Sequence, residues 1–345
     1  MIAKGICVKL EDGDKIRKLL FKKNQVRRNL KIKKDEKFIY IPVEKIPKEL
    51  QSYKVEDIEF EKINAKPRSY KDIISISDNL KNELPTSYDI VGDIILIKLK
   101  EELLNYKKEI GEALLKVNKK IKTVCLIEPV KGELRIRDLE IIAGIKKTKT
   151  IHHEYGLKFE LDVSKTYFSP RLSTERKRVA SFVKPNEIVV DMFTGVAPFP
   201  IMIAKYANPK IIYAIDKNKN AVSYAKKNIF LNNLFDKIEI LCIDSKKVKY
   251  ILDKRKQKAD RIIMNLPFSS FSYFKHALQI ISYVCVIHYY EILNEEKIEE
   301  RIDELKKIAN QNNILISITN IRKIKTYAPR EFYIGIDITA KHKPM

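Results

Sequence analysis

The sequence predicts an α/β protein whose C-terminal half is built on a mostly parallel sheet covered by helices on both faces. From residue 162 onward, apolar segments such as "EIVVDMF" and "KIIYAID" alternate with amphipathic segments such as "KNAVSYAKKNIFLNN". Alternating strands and helices require crossover connections, which place the strands parallel. With 345 residues, 45% of them hydrophobic, the chain is long enough for two or three domains.

The first two regions of the chain have a different pattern. Residues 1–65 read as a small α+β unit, with strands at "GICVKL" and "KFIYIPV" and a helix at "DGDKIRKLLFKKN" opened by an acidic cap. A polar break at "NAKPRSY" leads into residues 66–161, where "DIVGDIILIKL" predicts a strand pair or one long bent strand and "EELLNYKKEIGEALLKVN" a helix. We therefore predict domains at 1–65, 66–161 and 162–345.

The C-terminal region continues the alternation to the end of the chain. A basic linker, "DSKKVKYILDKRKQK", precedes the strand "ADRIIMNLP", and the helix "SSFSYFKHALQIIS" follows. The last two apolar segments, "NILISITNIRKI" and "EFYIGIDIT", are predicted to pair as an antiparallel hairpin.

The charge of the chain indicates a polyanionic partner. Lys and Arg number 68 against 45 Asp and Glu, a formal net charge of +23. Nucleic acid is the commonest such partner, since phosphates neutralised by Lys or Arg release condensed counterions. A lysine-rich proteome is the alternative explanation. If the charge serves RNA, binding weakens steeply as salt rises.

Cysteine, histidine and apolar-run patterns exclude several classes. The four cysteines have no paired spacing and the five histidines form no ligand-like cluster, so neither a disulfide framework nor a metal site is indicated. The N-terminus lacks a signal-peptide pattern, and no segment reaches the ~20 apolar residues of a membrane span. We expect a protein of the reducing cytoplasm.

Three successive strands of the C-terminal region end in an acid: Asp191, Asp216 and Asp244. Ligands of doubly wound sheets bind beyond the carboxyl ends of the strands, and an acid after the second strand suits the two hydroxyls of a ribose. Gly195 allows the tight turn after the first strand. The alternative is that each Asp caps the following helix.

A nucleoside without phosphates fits this turn better than a dinucleotide. "FTGVAPFP" lacks the G-x-G-x-x-G cradle for a pyrophosphate, which favours a ligand such as S-adenosylmethionine. The fourth strand ends in "NLP", where Asn265 and Pro267 suit a planar nitrogen-bearing base held by hydrogen bonds and stacking. A capped turn is the alternative for that motif.

Several motifs together resemble the archaeal tRNA (guanine-37, N1) methyltransferase family. They are "YFSPRLSTERKRVA", "VVDMFTGVAPFPI", "YAIDKNKNAVSYAKKNIFLNN", "IIMNLP", "VIHYY" and "YAPREFYIGIDI". The resemblance covers nearly the whole chain and is most specific over residues 132–290. It implies a Rossmann-like class I methyltransferase domain that uses S-adenosylmethionine, preceded by two smaller α+β domains. It also implies a monomer whose partner is tRNA, bound at the anticodon stem-loop and the outer corner, rather than DNA or a membrane.

The resemblance also implies roles for individual residues. Arg135 matches the arginine that binds the target guanine, Glu175 the general base, and Asn265 with Pro267 the residues that hold the guanine. The implied cofactor-binding residues are Tyr167, Phe168, Asp191, Met192, Phe193, Gly195, Asp216, Asp244 and Asn265. Guanine N1 carries a proton at neutral pH, so methylation needs a base, and Glu175 serves if burial keeps it poised.

From the residues alone, other interpretations stay open. Without the family motif, the residues favour Glu175 as a surface residue paired with Arg171 or Arg176, and Arg135 with Arg137 as a solvated strand edge rather than a ligand clamp. Two departures from the family pattern are Ala197 in place of a glycine, which narrows the cofactor turn, and "SPRLSTER" in place of "SPRLGGER". Alternative functions are a bifunctional enzyme that also methylates C7 of the tricyclic wyosine precursor, and a non-catalytic RNA-binding module.

Overall fold

A computed structural model describes residues 1–63, 67, 69–128 and 138–344. The chain divides into two compact units, Met1–Asp72 and Ile73–Met345. The three-domain division proposed from the sequence, with boundaries after residues 65 and 161, stays a prediction. Within the described residues, no helix is both long enough and apolar enough to span a lipid bilayer.

The first unit is a helix on a four-stranded sheet. Its elements are β1 (Ile2–Lys9), α1 (Leu10–Lys22), β2 (Lys33–Lys34), β3 (Phe38–Pro42) and β4 (Val55–Glu59), with strand order β2-β3-β1-β4. Ile16 and Leu20 of α1 are buried in the same core as Ile6 and Ile41 of the sheet. The predicted acidic cap is wrong, because Lys9 occupies the cap position and the acids lie within the first turn.

The second unit begins with a small mixed sheet. Its elements are α2 (Asp78–Glu83), β5 (Asp89–Val91), β6 (Ile94–Ile97), α3 (Lys107–Val117), β7 (Thr123–Ile127) and β8 (Leu139–Gly144). The strand order is β5-β6-β7-β8, and the predicted strand pair is confirmed as the antiparallel hairpin β5–β6. An antiparallel hairpin of β9 (Lys149–Glu154) and β10 (Leu157–Asp162) follows, and then α4 (Ser173–Phe182).

A seven-stranded sheet forms the rest of the second unit. Its elements are β11 (Ile188–Asp191), α5 (Pro198–Tyr206), β12 (Ile211–Ile215), α6 (Lys219–Leu231), β13 (Ile238–Leu241), α7 (Val248–Lys254), β14 (Ala259–Met264), α8 (Ser270–Leu278), β15 (Ile281–Asn294), α9 (Ile298–Gln311), β16 (Ile314–Ala328) and β17 (Glu331–His342). The strand order is β13-β12-β11-β14-β15-β17-β16. Pairing is parallel from β13 to β15 and antiparallel for β17 with both of its neighbours.

The predicted α/β class, with a mostly parallel sheet and a final antiparallel hairpin, is confirmed. Adjacent residues Val189 and Val190 of β11 belong to two different hydrophobic cores, as expected for a sheet covered on both faces. The segment predicted as a basic linker is wrong in part, because it forms α7, whose Val248 and Leu252 are buried in one of these cores.

Asn228 of α6 fastens the β9–β10 hairpin beside the seven-stranded sheet. Its side chain accepts from the backbone N–H of Glu160 at 2.7 Å and donates to the carbonyl oxygens of Glu160 and Val196 at 3.0 and 3.1 Å. Asn228 is fully buried, and each polar atom of its amide has a partner. The amide therefore joins the hairpin, α6 and the turn after β11.

Candidate active site

The carboxyl ends of the parallel strands border one cavity. β11, β12, β13 and β14 end at or shortly before Asp191, Asp216, Asp244 and Asn265, and parallel strands bring these ends to one edge of the sheet. The cavity comprises about 810 Å³ of space between protein atoms, part of it open to solvent, and its lining draws on all four strand ends and on residues 167–176.

Most of the predicted cofactor residues line this cavity. They are Tyr167, Phe168, Met192, Phe193, Gly195, Asp216, Asp244 and Asn265. Asp191 does not, and its side chain is 1% exposed and accepts the N–H of Phe193 at 3.2 Å. Pro267 and Glu175 are also absent from this lining, and Arg135 lies outside the described residues.

Asp216 is held in a fixed orientation by backbone N–H groups of the turn after β11 and of its own loop. Its two carboxylate oxygens accept the backbone N–H of Gly195 and of Asn218, each at 2.8 Å. Gly195 has a φ of +56°, a left-handed conformation that favours glycine. A carboxylate held in this way retains lone pairs for further donors, such as the two hydroxyls of a ribose.

The helix-capping alternative holds for one of the three strand-end acids. Asp244 accepts the N–H of Lys246 at 2.8 Å and so caps the 3-10 turn that follows, while it also lines the cavity. Asp216 does not cap α6, because Asn218 takes that position and accepts from the N–H of Asn220. Of these three acids, only Asp244 both caps a turn and lines the cavity.

The wall opposite the strand ends depends on a buried ion pair that sequence reasoning missed. Arg176 of α4, 1% exposed, donates to both carboxylate oxygens of Glu154 on β9, at 2.7 and 2.5 Å. It also donates to the carbonyl of Ser169 and lies 5.1 Å from the ring centroid of Phe168. No local pattern signals such a pair, since its partners lie on separate elements.

A second groove adjoins the cavity. Its lining includes Tyr88, Lys98, Arg171, Pro267, Phe268, Lys325, Tyr327 and Tyr333. Tyr167 lines both spaces, and Tyr333 of β17 donates a hydrogen bond to the side-chain oxygen of Asn265. Cavity and groove therefore meet at the "NLP" motif, as expected for a donor site beside an acceptor site.

Glu175 lies behind this junction as an ionised carboxylate. It is 7% exposed and accepts from Arg178 at 2.8 and 2.7 Å, from the hydroxyl of Tyr290 at 2.8 Å and from Arg322 at 3.2 Å. Burial raises its pKa, but the hydrogen bonds of Arg178 and Tyr290 and the charges of both arginines outweigh burial. The pKa of Glu175 therefore lies below the ordinary 4.5. The expected pairing with Arg171 or Arg176 is not what the structure shows, since Arg178 and Arg322 are its partners.

A chain of buried and half-buried charges continues from Glu175 across the sheet. Arg178 and Arg322 also donate to Asp337 of β17, at 2.9 and 2.7 Å. Asp337 in turn accepts from His288 at 2.7 Å, and Arg261 donates to the far side of that imidazole at 2.8 Å. Glu175 is thus one member of a network that joins α4 to β14, β15, β16 and β17.

Ala197 adopts the left-handed conformation that a glycine would favour. Its φ is +67°, it precedes the first residue of α5, and it is fully buried. Ala197 is not among the residues that line the cavity. The predicted narrowing of the cofactor turn is therefore not seen on the cavity side, and the substitution acts on the packing beneath it.

The site and the sheet together define a class of protein. The carboxylate of Asp216 has lone pairs for two hydroxyls, and the turn after β11 lacks the glycine-rich sequence that cradles a phosphate, so the cavity suits a nucleoside. In class I methyltransferases such a cavity lies on a parallel sheet that ends in an antiparallel hairpin. The chain is a methyltransferase of this class. Residues 150–317 match the family described as the TRM5/TYW2 methyltransferase domain, and the chain belongs to this family.

The preceding residues match two N-terminal domains of the same family. Residues 5–51 match the tRNA methyltransferase 5 N-terminal domain, and residues 70–148 match the TYW2 N-terminal domain. The chain is 39% identical over 335 residues to "tRNA (guanine(37)-N(1))-methyltransferase Trm5b" of Pyrococcus abyssi, covering 96% of this chain and 98% of that protein. It is 35% identical to the Trm5b of Methanocaldococcus jannaschii, with 98% and 99% covered.

Solved structures of members of this family are also similar to this chain. The crystal structure of P. abyssi Trm5b matches with a TM-score of 0.85 at 37% identity, covering 98% of this chain and 99% of that chain. A complex of aTrm5 with tRNALeu matches with a TM-score of 0.82 at 34% identity, covering 97% and 99%. M. jannaschii TYW2 in complex with AdoMet matches with a TM-score of 0.57 at 31% identity, covering 74% and 100%.

The burial of Asp191 predicts a pH dependence of stability. Burial, and to a lesser degree the charge of Asp216, raises the pKa of Asp191 from 3.8 to about 7, against a lowering by the N–H of Phe193. Between those values the folded protein holds a proton that the unfolded chain has released. The contribution of Asp191 to the free energy of unfolding therefore falls as pH rises from about 4 to about 7 and stays constant above pH 7.

Asp191→Asn removes this dependence, because its side chain is neutral at every pH. We expect the variant to be more stable than the wild type at pH 8 by roughly 1–4 kcal/mol and of similar stability at pH 4. Urea unfolding at both pH values measures the difference, with the exposed Asp236→Asn as the matched control. Equal stability of Asp191→Asn and wild type at pH 8 would contradict the raised pKa.

Proposed function

We propose that this protein methylates N1 of guanosine 37 in tRNA, with S-adenosylmethionine as the methyl donor. The observation that carries the proposal is the meeting of cavity and groove at Asn265 and Pro267, with Tyr167 lining both. The near full-length match to proteins named for this reaction supports it.

The cavity residues fit S-adenosylmethionine. Asp216, already oriented by two backbone N–H groups, is suited to the ribose hydroxyls, and Asp244 to the adenine. When bound, this cofactor supplies a methyl group activated by its sulfonium. The protein then has to hold the acceptor in line and manage its proton.

Asn265 gives a physical basis for choosing guanine. The hydroxyl of Tyr333 donates to the side-chain oxygen of Asn265, which fixes the orientation of the amide. The amide NH2 then donates to a carbonyl such as guanine O6, whereas adenine presents a donor at that position. An adenosine at position 37 would therefore place two donors against each other.

Glu175 is the base in this proposal. Arg178 and Arg322 keep its carboxylate ionised at neutral pH, as proton acceptance requires. Arg135, which the family resemblance assigns to the guanine, would stabilise the negative charge that develops on O6 as the proton leaves. The monomeric state, the contact with the outer corner of tRNA and the additional C7 activity stay predictions.

Transfer to two unmodified transcripts, one with G and one with A at position 37, tests the reaction. We expect 1-methylguanosine from the G37 transcript alone, identified by nucleoside mass spectrometry. Glu175→Gln should lower kcat by about 100-fold or more, because general-base catalysis contributes 10²–10⁴-fold, while tRNA affinity stays within about two-fold of the wild-type value.

Glu239→Gln is the matched control for Glu175→Gln. It removes a carboxylate that also receives two hydrogen bonds from one arginine, Arg255, but lies on β13 outside the cavity lining. Full activity of Glu175→Gln with folding intact would exclude Glu175 as the base. Methylation of neither transcript by wild-type protein would overturn the proposed reaction itself.

The arginine partners of Glu175 predict a shift in the pH profile. With the pKa of Glu175 lowered, kcat/KM of the wild type should show no acid limb from this group above about pH 5. In Arg178→Gln, Glu175 stays buried, which raises its pKa, but it loses the positive charge of Arg178, which lowers its pKa. We expect its acid limb to move upward by about one pH unit or more.

Arg178→Lys is the control, because it keeps a positive charge beside Glu175. Its acid limb should stay near that of the wild type even if its maximal rate falls. Thermal unfolding at each pH separates titration of the base from loss of the fold. An unshifted limb in Arg178→Gln would mean that Glu175 is not the group whose ionisation limits the rate.

A further inference from the structure

Two aromatic side chains in the second groove are unusually exposed and touch each other. Phe268 directly follows Pro267 and is 54% exposed, and Tyr327, near the end of β16, is 45% exposed. Their ring centroids lie 5.7 Å apart with an interplanar angle of 74°. Single exposed aromatics need no explanation, but a contacting pair at the mouth of a substrate groove offers two apolar faces to a ligand.

The described lining around this pair carries an excess of positive charge. Lys98, Arg171 and Lys325 line the groove, and Asp89 is its one acid. Asp89 receives a hydrogen bond from Arg171 at 2.5 Å, and the three basic side chains of that lining outnumber this acid by three to one. Exposed aromatic faces beside lysines form the usual binding surface for single-stranded nucleic acid.

The aromatic pair is connected to the proposed reaction centre by residues that lie close to it along the chain. Lys325 lies 5.4 Å from the ring centroid of Tyr333, the residue that orients Asn265. Phe268 is separated from Asn265 only by Leu266 and Pro267. A nucleotide next to the one held at Asn265 would therefore reach these rings without leaving the groove.

We propose that Phe268 and Tyr327 form a stacking platform for a base that neighbours the methylated nucleotide, with Lys98 and Lys325 facing its phosphate. This inference rests on the proposed function, since it takes a tRNA loop as the ligand. A target nucleotide extruded from its loop leaves its neighbours without a stacking partner, which costs energy. A platform that stacks one neighbour offsets this cost and holds the loop open.

Leucine variants of the platform test it while keeping apolar volume. Phe268→Leu and Tyr327→Leu, alone and together, are compared with Phe230→Leu, an aromatic on α6 that is 72% exposed and is not among the residues that line the groove. We expect the double variant to lose about ten-fold or more in kcat/KM for the G37 transcript, in line with the worth of one stacked base. Phe230→Leu should stay within two-fold of the wild type.

Transcripts lacking a base at position 36 or 38 identify the stacked nucleotide. One of these abasic changes should lower kcat/KM of the wild-type protein by about as much as the double variant lowers it for the intact transcript. The same abasic change should cause little further loss of kcat/KM in the double variant. Losses that simply add would overturn the platform. So would an equal fall in S-adenosylmethionine affinity, since the leucine changes would then act through the fold of the cavity.

A binding readout separates this proposal from the proposed function. With 2-aminopurine at position 36 or 38, stacking on the platform should quench its fluorescence on binding wild-type protein but not the double variant. If the wild type makes 1-methylguanosine while the double variant behaves like Phe230→Leu in rate and fluorescence, the platform fails and the function stands. If the wild type makes none, the function fails, and the fluorescence still decides whether the rings stack a base.

Discussion

The active-site region depends on helix α4 being held by buried charges on two sides. Neighbouring residues Glu175 and Arg176 are 7% and 1% exposed, and their side chains bond to different elements. Arg176 holds Glu154 of the β9–β10 hairpin, and Glu175 accepts from Arg322 of β16 and Tyr290 of β15 in the seven-stranded sheet. Removing one partner of a buried pair leaves an uncompensated charge, so neither contact is easily dispensed with.

The geometry of the cavity follows from this anchoring. Arg176 also holds the carbonyl of Ser169, so the segment that contributes Tyr167 to cavity and groove is fixed from behind. On the sheet side, the ring of Tyr290 lies 6.0 Å from that of Tyr333, centroid to centroid, and each hydroxyl bonds to a site residue, Glu175 or Asn265. The proposed base and the proposed base-holding amide are thereby connected by two packed tyrosines.

Local sequence patterns predicted the parts of this structure that local physics determines. Strand and helix alternation and the acid at Asp216 follow from periodicity and from the topology of parallel sheets. The partners of Glu175 do not, because Arg322 and Tyr290 lie more than a hundred residues away along the chain and no spacing rule links them. Asp191 illustrates a finer limit, since an acid at a strand end suggested a ligand contact, but its side chain is 1% exposed and is not part of the cavity lining.

The lowered pKa of Glu175 constrains how the proposed reaction is catalysed. A carboxylate that accepts from two arginines and a tyrosine is ionised at any physiological pH, yet it is a weaker base than a carboxylate that is buried alone. Guanine N1 holds its proton at neutral pH, so base strength alone does not lower the barrier. The larger contribution must then come from donors that stabilise the guanine anion at O6, the atom to which the amide of Asn265 would donate. Since Tyr333 fixes that amide, the role that the proposal gives to β17 is orientation of the amide rather than proton transfer.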